Sequence, residues 1–327
     1  MAERHGVTPD AIPLDVQQSL VPVMLKGLVS DWPCVKAAAQ DCGVLLDYLE
    51  EFSVNKDVLA FRAAAGSAGR IYYNEDLSGF NFDRITTTLE ALFTKWREPL
   101  DHECLYLGST NADGYFPGFR ASNDISIVDA NPVVSIWMGN RTRIAAHFDT
   151  PDNLACVVTG SRRFTLFPPD QLNNLYVGPI DFTPAGQAIS LVDFADPDLE
   201  RFPRFEQAMQ VAMVAELEPG DALFIPSMWW HHVEALDELN MLVNYWWNRS
   251  ASHADNPMSA LIHALLAVKE LPQEQRSAWQ GLFEHYVFEC DSDKVKHIPV
   301  ERRGVLGEMD DSTARGLRSM LIKKLQN

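Results

Sequence analysis

The chain lacks several features that would place a protein quickly in a class. Its five cysteines among 327 residues (Cys34, Cys42, Cys104, Cys156 and Cys290) are scattered, with no CxxC pair. That spacing removes the common zinc and dithiol motifs and points to free thiols in a reducing compartment. No run approaches the roughly 18 apolar residues of a membrane span. The opening MAERHGVTPDAIPLD holds no apolar stretch of the signal-peptide kind, so a cytoplasmic location is expected. Positive charge is scarce: 27 Lys and Arg stand against 45 Asp and Glu, a net charge of −18. Such a field opposes phosphate backbones and anionic lipid surfaces, which disfavours nucleic-acid and membrane partners. A Gly-rich phosphate loop, a GxSxG elbow and an HExxH helix are also missing, and with them the commonest signatures of nucleotide, serine-hydrolase and zinc-protease chemistry.

What the sequence does contain is β-type pattern followed by helical pattern. At 46% hydrophobic and 22% charged residues the composition is that of an ordinary globular protein, without repeats or low-complexity tracts. Residues 15–29 read as a short strand near an edge, interrupted by Pro22 and Gly27, and 85–96 as a helix carrying Leu89, Leu92, Phe93 and Trp96 at helical spacing. Between 103 and 247 come ECLYLGS, PVVSIWMG, NLACVVTG, RRFTLFP, MVAELEPGD, ALFIPS and LNMLVNYWW. Short strands without intervening helices predict an antiparallel sandwich or barrel. After residue 254 an Asn-Pro start and apolar spacing of three and four predict three helices. The expected organisation is one domain over 1–254, with its β core at about 103–250, and a helical region over 255–327. Leu261, Leu265, Trp279, Phe283, Leu317 and Leu321 give those helices apolar faces suited to a homodimer or to capping the barrel.

One stretch asks for chemistry. In RIAAHFDTPDN, residues 143–153, strand alternation puts Ala145, His147 and Asp149 on one side. An imidazole and a carboxylate on a half-buried face are costly unless an ion compensates them. PSMWWHHVEAL, residues 226–236, offers the third ligand in His231 or His232, near the end of the strand begun by ALFIP. Two histidines and one carboxylate, two of them at i and i+2, are the facial triad that leaves positions open on Fe(II).

These residues and their surroundings resemble the jumonji-type, cupin-like 2-oxoglutarate oxygenases, in the branch that contains the asparaginyl hydroxylase factor inhibiting HIF, and most of all the bacterial cupin-like proteins similar to it. The resemblance covers roughly residues 20–250 and rests on PVMLKGLVSDWP, GRIYYNEDLSGFNF, AAHFDTPDN, GSRRFTLFPPDQ, EPGDALFIPSMWWHHVE and LVNYWW. It implies a mainly β fold, a double-stranded β-helix (jelly roll) with flanking helices, and the cofactors Fe(II), 2-oxoglutarate and O2. The ligands it implies are His147, Asp149 and His231, with His232 a neighbour. Arg162 falls where the family places the cation for the co-substrate carboxylate, and Arg163 competes because a shift of one residue exchanges faces. Tyr106, Asn153 and Asn244 match positions near the co-substrate and the iron, whereas Ile144 replaces a family threonine that Thr142 or Thr165 could stand in for.

The reaction this implies is hydroxylation of a protein or peptide side chain, with release of succinate and CO2. N-methyl demethylation, small-molecule or RNA hydroxylation, and a non-catalytic binding cupin are the alternatives. A zinc hydrolase on the same ligands would need a general base beside the metal, and no HExxH-like element supplies one. Trp229, Trp230, Trp246 and Trp247 read as core rather than as a substrate platform, and His263 and His285, on predicted helices, as satisfied interface histidines rather than ligands.

Overall fold

All seven apolar runs between 103 and 247 become strands in the computed structural model, which describes residues 1–98, 103–128, 130–184, 186–251, 253–289 and 291–326. The chain forms two compact units, Met1–Arg249 and Ser250–Asn327. In the first, the strands are β1 (Ala2–His5), β2 (Val23–Lys26), β3 (Asp57–Ala63), β4 (Arg70–Ile71) and β5 (Phe82–Thr88). They continue with β6 (Cys104–Asn111), β7 (Val133–Gly139), β8 (Arg143–His147), β9 (Asp152–Thr159) and β10 (Arg162–Phe167). The last four are β11 (Met213–Leu217), β12 (Ala222–Ile225), β13 (Trp230–Ala235) and β14 (Asn240–Trp247). A nine-stranded sheet runs β1-β2-β12-β9-β14-β7-β6-β3-β5, and a five-stranded sheet runs β11-β10-β13-β8-β4. Every pairing is antiparallel except β1 with β2 and β4 with β8, as a jelly roll with an N-terminal extension requires.

Alternation along single strands builds two cores. On β9, Leu154, Cys156 and Val158 pack outward under the N-terminal helices with Leu45, Leu49 and Phe93, whereas Ala155 and Val157 pack inward between the sheets. β12 splits the same way, Ala222 and Phe224 outward, Leu223 and Ile225 inward. A strand buried on both faces has no polar side to show, so these segments read as continuous apolar runs. The inner core, with Phe164, Leu166, Val233 and Leu242, closes one end of the space between the sheets.

Two local expectations need correcting. Residues 15–29 are not one strand: Leu14–Gln17 is a helical turn after Pro13, and only Val23–Lys26 is extended. The helix expected over 85–96 begins at Leu89, because Phe82–Thr88 forms β5. The β-branched run Ile85-Thr86-Thr87-Thr88 favours the strand, and the Thr88 Oγ1 then caps the helix by accepting from the Ala91 N–H at 3.2 Å.

The second unit holds helices Pro257–Val268, Gln273–Phe283 and Asp311–Leu325, with Asn256 and Asp310 capping the first and third. Among its described residues only Ala314 is buried, while Leu266, Phe288 and Val300 are 72–77% exposed. No described helix is long and apolar enough to cross a membrane. Cys34, Cys104 and Cys156 are buried free thiols, Cys42 is an exposed one, and Cys290 lies outside the described residues.

Candidate metal centre

Strand parity places the site. On β13, Val233 enters the inner core and Trp230 packs on the opposite face with Phe167 and Phe205. His231 shares the face of Val233 and lines a cavity of about 210 Å³. His232 points the other way, its ring 4.4 Å from that of Phe194. The choice the sequence left open between the two histidines is therefore resolved in space: only His231 reaches the cavity.

On β8 the alternation is broken. Val233 pairs with Ile144 but His231 pairs with His147, so two steps along β13 match three along β8. This bulge lets Ile144 and His147 both line the cavity. Asp149 follows in the loop after β8, and that loop is stitched to the turn before β13. Met228 N–H donates to the Asp149 carbonyl at 2.8 Å, Ser227 Oγ to the Thr150 carbonyl at 2.6 Å, and Ser227 N–H to Asp152 at 2.9 Å. Asp152 is held in turn by Arg249, Nη2 to Oδ1 at 3.0 Å.

Three potential ligand atoms, one each from His147, Asp149 and His231, lie within 4.8 Å of one another. His147 Nδ1 donates to the Ala145 carbonyl at 2.9 Å and His231 Nδ1 to the Trp229 carbonyl at 3.0 Å. With Nδ1 committed to a backbone acceptor, each ring keeps Nε2 free as a donor to a metal. Burial, reinforced by His147 and opposed by Asp149, drives the His231 pKa down to about 4, so the ring is neutral as a ligand must be. Two neutral imidazoles and one carboxylate suit a divalent ion that retains open positions.

Arg162 lines the same cavity, 3% exposed, with its Nε unpartnered. Among the described residues no carboxylate pairs with it. Burial pulls its pKa down to about 10, opposed only by Tyr106, so it remains a cation. Arg163, the competitor, lies on the outer face and pairs with Glu216 at 2.8 Å. Gly160 sets this parity. It turns the chain at φ +71°, and a side chain there would press on the Leu239 carbonyl at 2.7 Å. Tyr106 also lines the cavity, buried, its phenol pKa pushed up by that burial. Asn153 and Asn244 are linked, Asn244 Nδ2 donating to Asn153 Oδ1 at 2.7 Å, and Asn153 Nδ2 donates on to Asp149 Oδ2 at 3.2 Å. Neither Thr142 nor Thr165 is among the cavity-lining residues, so neither stands in for the threonine replaced by Ile144.

The cavity also contains residues the sequence reading did not assign. Trp229, Trp230 and Trp247 are core, but Trp246 lines the cavity and its Nε1 donates to Asp149 Oδ2 at 3.1 Å. Parity could have found it, because Trp246 lies two residues from Asn244 on one strand. Ser109, at the irregularity of β6 with φ +44°, and Gln187, from the long connection between β10 and β11, had no comparable signal.

Comparison with known proteins agrees with this architecture. A lysine-specific demethylase, JMJ31, of Arabidopsis thaliana is 38% identical over 127 residues, 37% of this chain and 22% of the relative. The human HSPB1-associated protein 1 is 32% identical over 150 residues, 44% of this chain and 30% of the relative. The mouse tRNA wybutosine-synthesizing protein 5 is 30% identical over 162 residues, covering 45% and 46%. The chain thus spans less than half the length of each of these relatives. The cupin-like domain family matches residues 9–253, most of the chain and all of the site described above, and the protein belongs to that family in its jumonji-type form.

Proposed function

We propose that the protein is an Fe(II)- and 2-oxoglutarate-dependent oxygenase that hydroxylates a side chain of a protein or peptide, with release of succinate and CO2. The observation that carries this reading is Arg162. A buried cation without a counter-ion, in the same cavity as a His-Asp-His set, calls for an anionic ligand that enters beside the metal. A dicarboxylate co-substrate would meet that need, with Arg162 and Tyr106 the residues that would hold its distal carboxylate.

His147, Asp149 and His231 would hold the ion, and bound there with 2-oxoglutarate it supplies the oxygen activation that no side chain of the cavity can. The chain's own residues do the rest. Trp137, Phe164 and Leu242 wall the cavity with apolar surface and exclude water. Among the described residues Asp149 is the only carboxylate that lines the cavity. A methylated ammonium therefore finds no second acid to neutralise it, which favours hydroxylation of an uncharged group over N-demethylation.

A protein substrate is supported by the acidic balance of the chain, which opposes RNA, and by two relatives whose names are lysine-specific demethylases. The exposed apolar surface of the helical unit supports self-association into a homodimer. The test is turnover: succinate formed from 2-oxoglutarate by the anaerobically reconstituted Fe(II) protein, then exposed to O2, should rise when peptides or lysate proteins are added. Stimulation by tRNA and not by protein would replace the substrate class. No succinate under any condition would leave a binding protein instead.

A further inference from the structure

Trp246 has no role in the reading above, yet it touches a proposed ligand. Its indole Nε1 donates to Asp149 Oδ2 at 3.1 Å, and Asn153 Nδ2 donates to that same oxygen at 3.2 Å. The convergence follows from register. Trp246 on β14 and Asn153 on β9 are directly paired in the nine-stranded sheet, so their inward side chains stand side by side. Asp149 lies in the loop that leaves β8 of the opposite, five-stranded sheet. The ligand side chains therefore come from one sheet and the donors that aim the carboxylate come from the other. Each donor is itself fixed. Trp137 meets the Trp246 ring edge-on at 5.7 Å and 90°, and Asn244 holds the Asn153 amide at 2.7 Å.

We propose that Trp246 is a positioning residue: with Asn153 it holds the Asp149 carboxylate in one orientation before metal arrives. The proposal rests on the metal-centre reading above. A carboxylate free to turn about its Cβ–Cγ bond loses that freedom on ligation, and two neutral donors on one oxygen remove the freedom in advance. They also satisfy a carboxylate whose side chain is only 15% exposed, without adding a competing cation. Partners of this kind are worth about 10–100-fold in metal affinity.

The experiment is calorimetric titration of the full-length, metal-free protein with Mn(II) under anaerobic conditions, alongside the visible absorption of the Co(II) form. Trp246→Phe keeps a ring and removes the N–H. It should weaken Mn(II) binding by about tenfold and shift the Co(II) bands. Trp246→His, which restores a ring N–H, should recover most of the loss. Trp247→Phe, one residue along and facing the outer core, is the control for lost packing and should leave both readouts unchanged. Equal Mn(II) affinity in Trp246→Phe and wild type, or an equal loss in the Trp247 control, overturns the positioning role. If Trp246→Phe does not fold, Asn153→Ala reads the same carboxylate oxygen and should weaken Mn(II) comparably; an unchanged affinity there is equally fatal. Asp149→Ala separates the two levels of argument. If it binds Mn(II) as wild type does, the metal-centre reading fails and the proposal falls with it. If it abolishes binding while Trp246→Phe binds Mn(II) as tightly as wild type does, only the positioning role is lost.

Discussion

Replacing Arg162 by Met should make the ligand-free protein more stable, not less. A buried cation with no counter-ion is a debt that folding carries until a ligand arrives. Its size follows from the acid–base equilibrium: burial lowers the Arg162 pKa from 12.5 to about 10. At about 1.4 kcal/mol per tenfold change, that disfavours the folded cation by roughly 3 kcal/mol. The sign is fixed by direction. The folded pKa lies below the unfolded one, so the penalty is complete at every pH well under 10 and is fully present at neutrality. Methionine keeps a long flexible side chain against Phe164 and Tyr106 while removing the charge. Some packing is lost in the exchange, so the expected net gain is roughly 1–3 kcal/mol, or about 2–4 °C in Tm per kcal/mol for a unit of this size.

The assay is thermal unfolding of both proteins with Mn(II), with and without 2-oxoglutarate. Wild type should gain about 2.7 kcal/mol at a ligand concentration a hundredfold over Kd. Arg162→Met should gain only about 0.3–1.3 kcal/mol at the same concentration, because the charged hydrogen bond that anchors the carboxylate, worth about 1.5–3 kcal/mol, is gone. The stability advantage of the variant thus shrinks by about 1.4–2.4 kcal/mol when ligand is added. A variant less stable than wild type without ligand, together with equal stabilisation of both by 2-oxoglutarate, would refute the assignment of Arg162 as an unpaired anchor.

Other expectations are simpler. His231→Ala should abolish Mn(II) binding while His232→Ala retains it, as titration of the two variants would show, and the reverse result would contradict the parity of β13. His232 should also govern acid stability. Burial first and Arg143 second push its pKa down from 6.5 to about 3, so it costs nothing above pH 6.5 and progressively more as pH falls toward 3. At pH 4 the cost is about 3 kcal/mol, and His232→Leu should lower the midpoint of acid unfolding followed by circular dichroism; an unchanged midpoint would mean the ring finds a partner when protonated. Gly160→Ala should destabilise by about 2 kcal/mol or more, through φ +71° and the contact with the Leu239 carbonyl, and a loss under 0.5 kcal/mol in urea would contradict the strain. Finally, light scattering of the full-length chain at micromolar concentration should give a dimer mass, and a monomer would leave the apolar faces of the helical unit without the partner proposed for them.

How much of this was legible beforehand depends on which physical signal each residue leaves. Seven of the nine strands between 103 and 247 announced themselves as short apolar runs bounded by turns, and in β9 and β12 burial on both faces strengthens that signal. The His147, Asp149 and His231 set stood out because two imidazoles and a carboxylate in otherwise apolar β-type stretches violate the local pattern, and such violations mark sites, although Asp149 lies in the loop after β8 and not on the strand expected for it. Arg162 against Arg163 was not decidable from the pattern, since both residues have the same side chain. The decision belongs to the phase of β10, which Gly160 and the pairings with β11 and β13 fix from residues far along the chain.

The rest was illegible for a related reason. Strict alternation assigns Ile144 and His147 to opposite faces, yet both line the cavity, because β8 carries an extra residue against β13. A bulge is a property of two strands, and one strand's sequence does not contain it. Trp246 makes the same point about the carboxylate. Its hydrogen bond to Asp149 spans 97 positions and joins the two sheets. Parity with Asn244 places it on the cavity face, but nothing in LVNYWW shows which carboxylate it meets. Residue type shows what a position could ligate. Register between strands determines what it meets, and in this protein the register turns a core-like tryptophan into a donor aimed at the proposed metal's carboxylate.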